Sequence, residues 1–585
     1  MLRLYADCVY IQICVNAKSM KRRHIIYFFV ILLLITSLSC KRNTSKQNNQ
    51  STHANRLELA TNSEPDSLDP LFAEMAASHE IMFLGQRSLT YYDDKWNLVN
   101  DLAVEVPSVA NGQVKVLPDS QKMVVTWHIK PDAVWEDGVP VTADDLIFPW
   151  QVCLDPNQEI IDRDTCERVE SMKIEGTDKK TLIVTWRQPF AFFAGYNVHN
   201  IMPAHILASR YKKPGGGTND MKKDPYGMHP LSNGPFKFKE WVPGQYITYV
   251  RNDRYQPRAK LDEVTFRIIP NNMSIESNLI AGTVDGVTTS GGLNIPAIEM
   301  IKKEHGDRFT YHSVPGMVWA HIDFNLDNPI LKDIKVRRAL ARAINRRQII
   351  QSIYAGQYQL ANTFEPPLHW GYNPQIPELT FDLKESAKLF DEAGWKQKSP
   401  GEPRKNAKGE ELVLKISAVA AVKDTEQFQQ IFQSDLSTLG VSLQIDNKPA
   451  KVFFGDIARH RKFPFMSFYS WVSGPDSWSN TLWHQDYIPS AANNWQGQNY
   501  PGWKNAEASK LLDAIPSVLD QEKRAVMLRK VQELWFNDLP AIPMYFRPVV
   551  SITRKDFLNY KPTGTLTPVT WNASEWTFAK KPKDR

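Results

Sequence analysis

Four carboxylates crowd one short stretch, WEDGVPVTADDL at 135 to 146: Glu136, Asp137, Asp144 and Asp145, with Trp127 and His128 just upstream. Carboxylates this close could share a proton or hold a hard cation, and a histidine could join either task. Their spacing points elsewhere. Asp137-Gly138 is a turn dipeptide, because glycine accepts the positive φ that a tight turn needs. Thr142, followed three residues later by Asp145, has the form of a capping box: the hydroxyl can accept a free backbone N–H, and both acids sit near the positive end of the helix dipole. His128 lies in the alternating run QKMVVTWHIK (121 to 130), a strand pattern, with no second His or Cys at ligand spacing. The acids are expected to punctuate a strand–turn–helix unit.

Other chemistry-bearing patterns are missing. There is no GxSxG elbow, HExxH pair, phosphate-binding GxxxxGK[ST] loop or CxxC. The glycines at 215 to 217 have no helix start or Lys at the phosphate-loop spacing, and His199 and His205 are separated by Pro203, a poor metal spacing. No metal, cofactor or catalytic residue is expected, which argues against a secreted hydrolase or transferase. The unusual residue is tryptophan, of which there are 17. WVSGPDSW (471 to 478) and NTLWHQDYIPSAANNWQGQNYPGW (480 to 503) set Trp471, Trp478, Trp483, Trp495 and Trp503 among Gly, Pro, Ser and Asn. A large rigid face with one N–H donor suits a ligand cleft made from loops, whereas a single Trp more often fills a core.

Several elements are legible. DIKVRRALARAINRRQII (333 to 350) reads as one helix with Val336, Leu340, Ala343 and Ile344 on its apolar side and arginines opposite. LKESAKLFDEAG (383 to 394) ends on the C-cap signal Gly394. DQEKRAVMLRKVQELWFND (520 to 538) starts from the N-cap Asp520 and carries the stripe Val526, Met527, Val531, Leu534 and Trp535. YITYVRN (246 to 252) and EVTFRIIP (263 to 270) read as strands, so the mixture is α/β or α+β in several lobes.

A chain of 585 residues exceeds a single compact core, and 42% hydrophobic residues exclude a disordered one. A net charge of +6 without a dense basic stripe does not suggest a nucleic-acid partner. At 20 to 40, MKRRHIIYFFVILLLITSLSC has the basic, apolar and small-residue zones of an export signal. Its end on Cys40 resembles a bacterial lipoprotein signal, with Cys40 lipidated; Ser37 departs from the usual Leu, and an ordinary signal peptide or an uncleaved anchor is the alternative. Residues 1–19 carry no export logic and are attributed to a misplaced start codon. Residues 40–56 read as a polar tether. For Cys153 and Cys166 in an exported protein, a local disulfide and two buried thiols both fit.

An ordered series of segments resembles the extracytoplasmic solute-binding proteins of ABC importers, in the oligopeptide-, dipeptide- and nickel-binding group, bacterial solute-binding family 5. The series runs EPDSLDP (64 to 70), TWHIKPDAVWEDGVPVTADDLIF (126 to 148), IMPAHIL (201 to 207), NGPFKFKEWVPGQYITYVRNDRY (233 to 255) and LIAGTVDGV (279 to 287). It continues through HIDFNLDNPILKDIKVRRALARAINRRQII (321 to 350), FDLKESAKLFDEAGW (381 to 395) and WVSGPDSW to DLPAIPMYFRP (538 to 548).

The resemblance implies an α/β, two-lobed periplasmic-binding-protein-like fold of class II with an inserted subdomain and a ligand cleft between the lobes. The implied partition is 57–97 with 225–319 and 549–585 as lobe I, 98–224 as the insertion and 320–548 as lobe II, with hinge crossings at Asp323–Asn325 and Met544–Phe546. It implies a monomeric, non-enzymatic peptide carrier in the periplasmic space that delivers to membrane permease subunits. The same fold could carry a glycan, a metal chelate or a signalling molecule, and a chaperone-like surface protein is a further class. Peptide-binding members place, three residues after a Trp, an Asp that pairs with the α-amine. Trp471 matches, but Gly474 stands in the Asp position, so either Asp476 takes the role or the ligand has no free N-terminus there. Trp478, Trp495 and Trp503 are implied cleft walls, with Trp319 and Ser78 as further candidates.

Overall fold

The computed structural model describes residues 55–579, except 74, 161–162, 196–199, 214–215, 290, 294, 494 and 566. The export segment, Cys40 and nearly all of the expected tether lie outside the described residues.

One long mixed sheet organises the chain. From edge to edge its strands are Ser442–Ile445, Val413–Ala418, Met466–Val472, Phe309–Phe324, Ala541–Arg554, Gly286–Val287, Arg56–Thr61, Glu263–Ile268, Tyr246–Arg251 and Phe236–Val242, and Gln359–Leu360 pairs alongside Ala541–Arg554. Two long antiparallel strands hold both ends together. Phe309 to Val314 pairs with Val549 to Arg554 towards the Arg56–Thr61 end, and Val318 to Asp323 pairs with Ala541 to Arg547 towards the Met466–Val472 end. The register breaks between these stretches, where Pro315, Gly316 and Met317 face Pro548 alone. Neither proline can donate to a ladder. At Gly316 a Cβ would lie 2.4 Å from the Arg547 carbonyl oxygen, so only glycine allows this close approach. A second shift lies between Ala320 and His321, whose partners Tyr545 and Pro543 leave Met544 as the extra residue, beside the crossings the resemblance implied. Asp323 is paired opposite Ala541 and buried inside the sheet.

Within 98–224, Val114–Val116, Met123–His128, Thr181–Trp186 and Val169–Glu175 make a separate four-stranded antiparallel sheet. Alternation buries Met123, Val125 and Trp127 on one strand and Leu182, Val184 and Trp186 on the next. Cys153 and Cys166 are joined by a disulfide beside it. One apolar cluster runs from Trp127 and Trp186 to Trp319, Trp483 and Trp535, so the core of this segment is continuous with that of the 320–548 segment.

The opening acids are structural. Gly138 has φ +94°. Thr142 makes no side-chain cap; instead Asp145 accepts the Thr142 N–H at 2.9 Å, the Trp135 Nε1–H at 3.1 Å and the Ala204 N–H at 2.9 Å. Asp137 meets His205 at 2.9 Å and Asp144 meets Lys179 at 2.8 Å. Among the described residues, no group of three or more His, Cys, Asp or Glu could hold a metal ion.

The stretch read as one helix at 333–350 is two, Ile334–Arg342 and Arg346–Tyr354, because Asn345 accepts the Gln348 N–H and starts a new helix. Its arginines do not all face water. Arg346 is buried and donates to the carbonyls of Ala361, Leu379 and Pro543. Asp520 caps Gln521–Asp538 as expected, but Val526 is 58% exposed; the buried face carries Arg524, Ala525, Leu528, Val531, Gln532 and Trp535.

Candidate functional site

Strand Met466–Val472 delivers Trp471. One side of this strand pairs along its length with Phe309–Phe324, whereas Val413–Ala418 accompanies the other side only as far as Phe468. Past Phe468 that second edge has no strand partner among the described residues. Ser470, Trp471, Val472 and Ser473 form one wall of a cavity of about 780 Å3. Trp319, Phe364 and Trp478 extend the wall, and Asp164 and Arg168 come from the 98–224 segment. Five buried polar atoms on these walls find no protein partner among the described residues: Trp319 Nε1, Ser470 Oγ, Ser473 Oγ, Trp478 Nε1 and Asn480 Oδ1. Buried polar groups are normally satisfied, so a wall with this many open donors and acceptors suits a polar solute.

After Ser473 the chain makes a tight turn, closed by the Ser477 N–H donating to the Gly474 carbonyl at 3.0 Å. Pro475 and Asp476 occupy its corners, a placement that proline's fixed φ favours. Gly474 opens the turn through its carbonyl, and Asp476 stands at its tip. Behind Ser479, which lines this cavity, lies a buried polar set. Ser479 donates to Glu365 at 2.7 Å, and His369 lies 3.7 Å from the other Glu365 oxygen. Burial pushes the Glu365 carboxyl up to about 8 and the His369 imidazole down to about 3, so both are neutral near pH 7.

The turn reaches across to other parts of the chain. The Tyr92 hydroxyl donates to Asp476. Phe192 stacks on Trp478 with centroids 4.8 Å apart and planes 7° from parallel. Beyond that stack lies a second cavity of about 620 Å3, walled by Tyr92, Phe192, Trp370, Asp476 and Arg524 with Lys95 and Gln521. Burial lifts the Asp476 carboxyl to about 6, against the pull of the Tyr92 hydroxyl and the Arg524 charge. Trp478 lines the first cavity and Phe192 the second, so the stacked pair stands between them.

Trp471, Trp478 and Trp319 thus share the first cavity, and Asp476 opens on the second. Trp471 packs its ring against Tyr469 and Tyr500 at 5.5 and 5.7 Å. Trp319 lies directly opposite Trp471 in the sheet. Trp503 is a core residue: it is 2% exposed, and its Nε1–H donates to Asp538 at 2.8 Å. Trp495 lies outside both cavities, edge-on to His460 at 4.7 Å. Ser78 is buried away from them, accepting the Asp66 N–H and donating to the Asp66 carboxylate. Tyr92, Phe192, Trp370 and Arg524 were not singled out from the sequence. Only QPFAFFAG (188 to 195) carried a usable signal, another aromatic run in a loop context.

Residues 106–490 match the bacterial extracellular solute-binding proteins, family 5 Middle. The chain is 25% identical over 524 residues to the oligopeptide-binding protein AppA of Bacillus subtilis, covering 88% of this chain and 90% of the relative. It is 24% identical over 518 residues to the probable deoxycholate-binding periplasmic protein of Escherichia coli, covering 84% and 88%. Its fold superposes on an oligopeptide-binding protein from Thermus thermophilus complexed with pentapeptide, with a TM-score of 0.65, 26% identity and coverage of 90% and 98%.

Proposed function

The chain belongs to the bacterial extracellular solute-binding proteins of family 5, and on that premise we propose that it captures peptides between its lobes and hands them to a membrane permease of an ABC importer. It is a binding protein and not an enzyme, and it works outside the cytoplasm. One observation carries the peptide reading: the unpartnered edge of strand Met466–Val472 opens on the 780 Å3 cavity, beside five unpaired buried polar atoms. An extended peptide can add to such an edge through its main chain, while side-chain pockets take the rest. Trp471, Trp478 and Trp319 are the apolar wall in this reading. Asp476 is the partner of a free α-amine, which would take the place of the Tyr92 hydroxyl.

The lobes are read as 57–97 with 225–319 and 549–585 against 320–548, with 98–224 inserted, closing at the crossings Asp323–Asn325 and Met544–Phe546, with the register break around Gly316 close by. Solute that touches both lobes stabilises the closed form. Cys40, lipidated, would hold the protein at the membrane through the tether.

The test is native mass spectrometry of the protein purified from its own organism, followed by denaturation to identify what is released. A ladder of peptides is expected. A single non-peptide mass would overturn the peptide reading and leave a glycan, a chelate or a signalling molecule. For the α-amine role, Asp476→Asn is expected to weaken binding of peptides with a free N-terminus about tenfold or more, since charge-assisted hydrogen bonds are worth roughly 1.5–3 kcal/mol. N-acetylated peptides should be unaffected. Wild-type binding should also weaken as pH falls through about 6, where Asp476 takes up its proton. Equal affinity for free and acetylated peptides would remove Asp476 from the role.

A further inference from the structure

We propose that the cavity walled by Phe192, Trp370 and Arg524 is a subsite for a carboxylate group of the bound solute, anchored by the Arg524 guanidinium; the proposal rests on the solute-binding reading above. Arg524 is 7% exposed. Its Nη1 is committed to the fold, donating to the carbonyls of Val518 at 2.7 Å and Leu519 at 2.8 Å. Its Nε is buried with no partner among the described residues, on a side chain that lines the cavity. Phe192 and Trp370 lie 5.3 and 5.5 Å from the guanidinium carbon, covering the cation with apolar rings. A purely structural arginine at this helix start needs only the two carbonyls. A buried N–H left open beside a cavity is a cost that a ligand acceptor would relieve.

The charge balance points the same way. The charged residues on the cavity wall are Lys95, Asp476 and Arg524. Asp476 attracts Arg524 through space, yet no ion pair within 4 Å joins them, and Asp476 holds the Tyr92 hydroxyl. Once a ligand ammonium neutralises Asp476, the remaining acidic neighbour of Arg524 is Asp520, which is not on the cavity wall, so a ligand carboxylate would restore the lost counter-charge. A planar guanidinium suits a carboxylate better than a point charge would. A C-terminal carboxylate and an acidic side chain offer the same chemistry.

The experiment uses trialanine with a free or amidated C-terminus, and Ala-Glu-Ala-amide against Ala-Gln-Ala-amide, titrated into wild type, R524Q and R524K by calorimetry. Wild type should bind a carboxylate-bearing member about tenfold to hundredfold more tightly than its neutral counterpart. Loss on amidation alone identifies the C-terminal group, and loss on Glu-to-Gln exchange alone identifies the side chain. R524Q should no longer discriminate within the pair, and R524K should recover part of the preference. Equal binding of both pairs by wild type overturns the subsite. If no peptide binds, the peptide reading has failed and the subsite is tested separately by melting in propionate and propionamide. Stabilisation of wild type, but not of R524Q, by propionate alone supports it. The absence of any such difference overturns it.

Discussion

Truncating Trp471 to alanine isolates the wall of the first cavity. The indole is half-buried, held by Tyr469 and Tyr500, and its remaining face opens on the cavity. A tryptophan buries 150–250 Å2 when fully covered, so a solute lying on the open half would cover on the order of 100 Å2. At about 25 cal/mol per Å2 that is roughly 2.5 kcal/mol, a weakening of about seventyfold in Kd. The fold loses something too. Two aromatic contacts at about 0.5–1.5 kcal/mol each should lower stability without unfolding the chain. Calorimetry with a peptide identified by mass spectrometry reads the first effect, and thermal melting reads the second. Trp495→Ala is the control, because Trp495 lies outside both cavities. A Trp471→Ala protein that melts as a folded chain and keeps wild-type affinity would falsify the wall assignment.

Three further outcomes concern the frame. Burial lifts the carboxyls of Glu365 and Asp323 to about 8, so between about pH 4.5 and pH 8 the folded chain keeps protons that the unfolded chain has released. Stability must then fall as pH rises through that window; His321 and His369, pushed down to about 3, act in the opposite sense only below about pH 6.5. Melting temperature is expected to drop between about pH 6.5 and 8.5, with a shallower drop in Glu365→Gln, and an identical slope in the variant would count against a buried neutral Glu365. Gly316→Ala should lower the urea midpoint by an amount equivalent to about 1–3 kcal/mol, since its Cβ meets the Arg547 carbonyl; an unshifted midpoint would mean the strand yields freely there. Replacing Cys153 and Cys166 together by serine should remove about 3 kcal/mol, as expected for a short closed loop, and melting unchanged from the oxidised wild type would refute that contribution.

Local signals made much of the frame legible. The Met123–His128 strand, the Gly138 turn and the Asp520 cap each depend on a few adjacent residues, and each was readable from them. Asn345 shows the limit: continuous helix periodicity ran through it, yet its own capping hydrogen bond divided the helix. Arg346 could not be read as buried, because its carbonyl partners are up to 197 residues away. The same holds at the site. Trp471 and Trp478 stood out as aromatics in a loop, but Trp503 shares that local context and is drawn into the core by Asp538. Asp476 was visible as an acid near Trp471. Its hydroxyl partner, Tyr92, lies 384 residues earlier and carries no mark of that role.

The Tyr92–Asp476 bond and the Phe192–Trp478 stack tie three distant parts of the chain across the two cavities. A conformer that holds both contacts admits nothing between Asp476 and its tyrosine, or between the stacked rings. An amine that reaches Asp476 therefore draws on the share of molecules in which that bond has parted. Measured affinity is then the intrinsic affinity multiplied by that share: a competent fraction of about 1% would cost about a hundredfold. Retention gains in return where the Phe192–Trp478 stack closes again beside a captured solute, because escape then waits on the same parting.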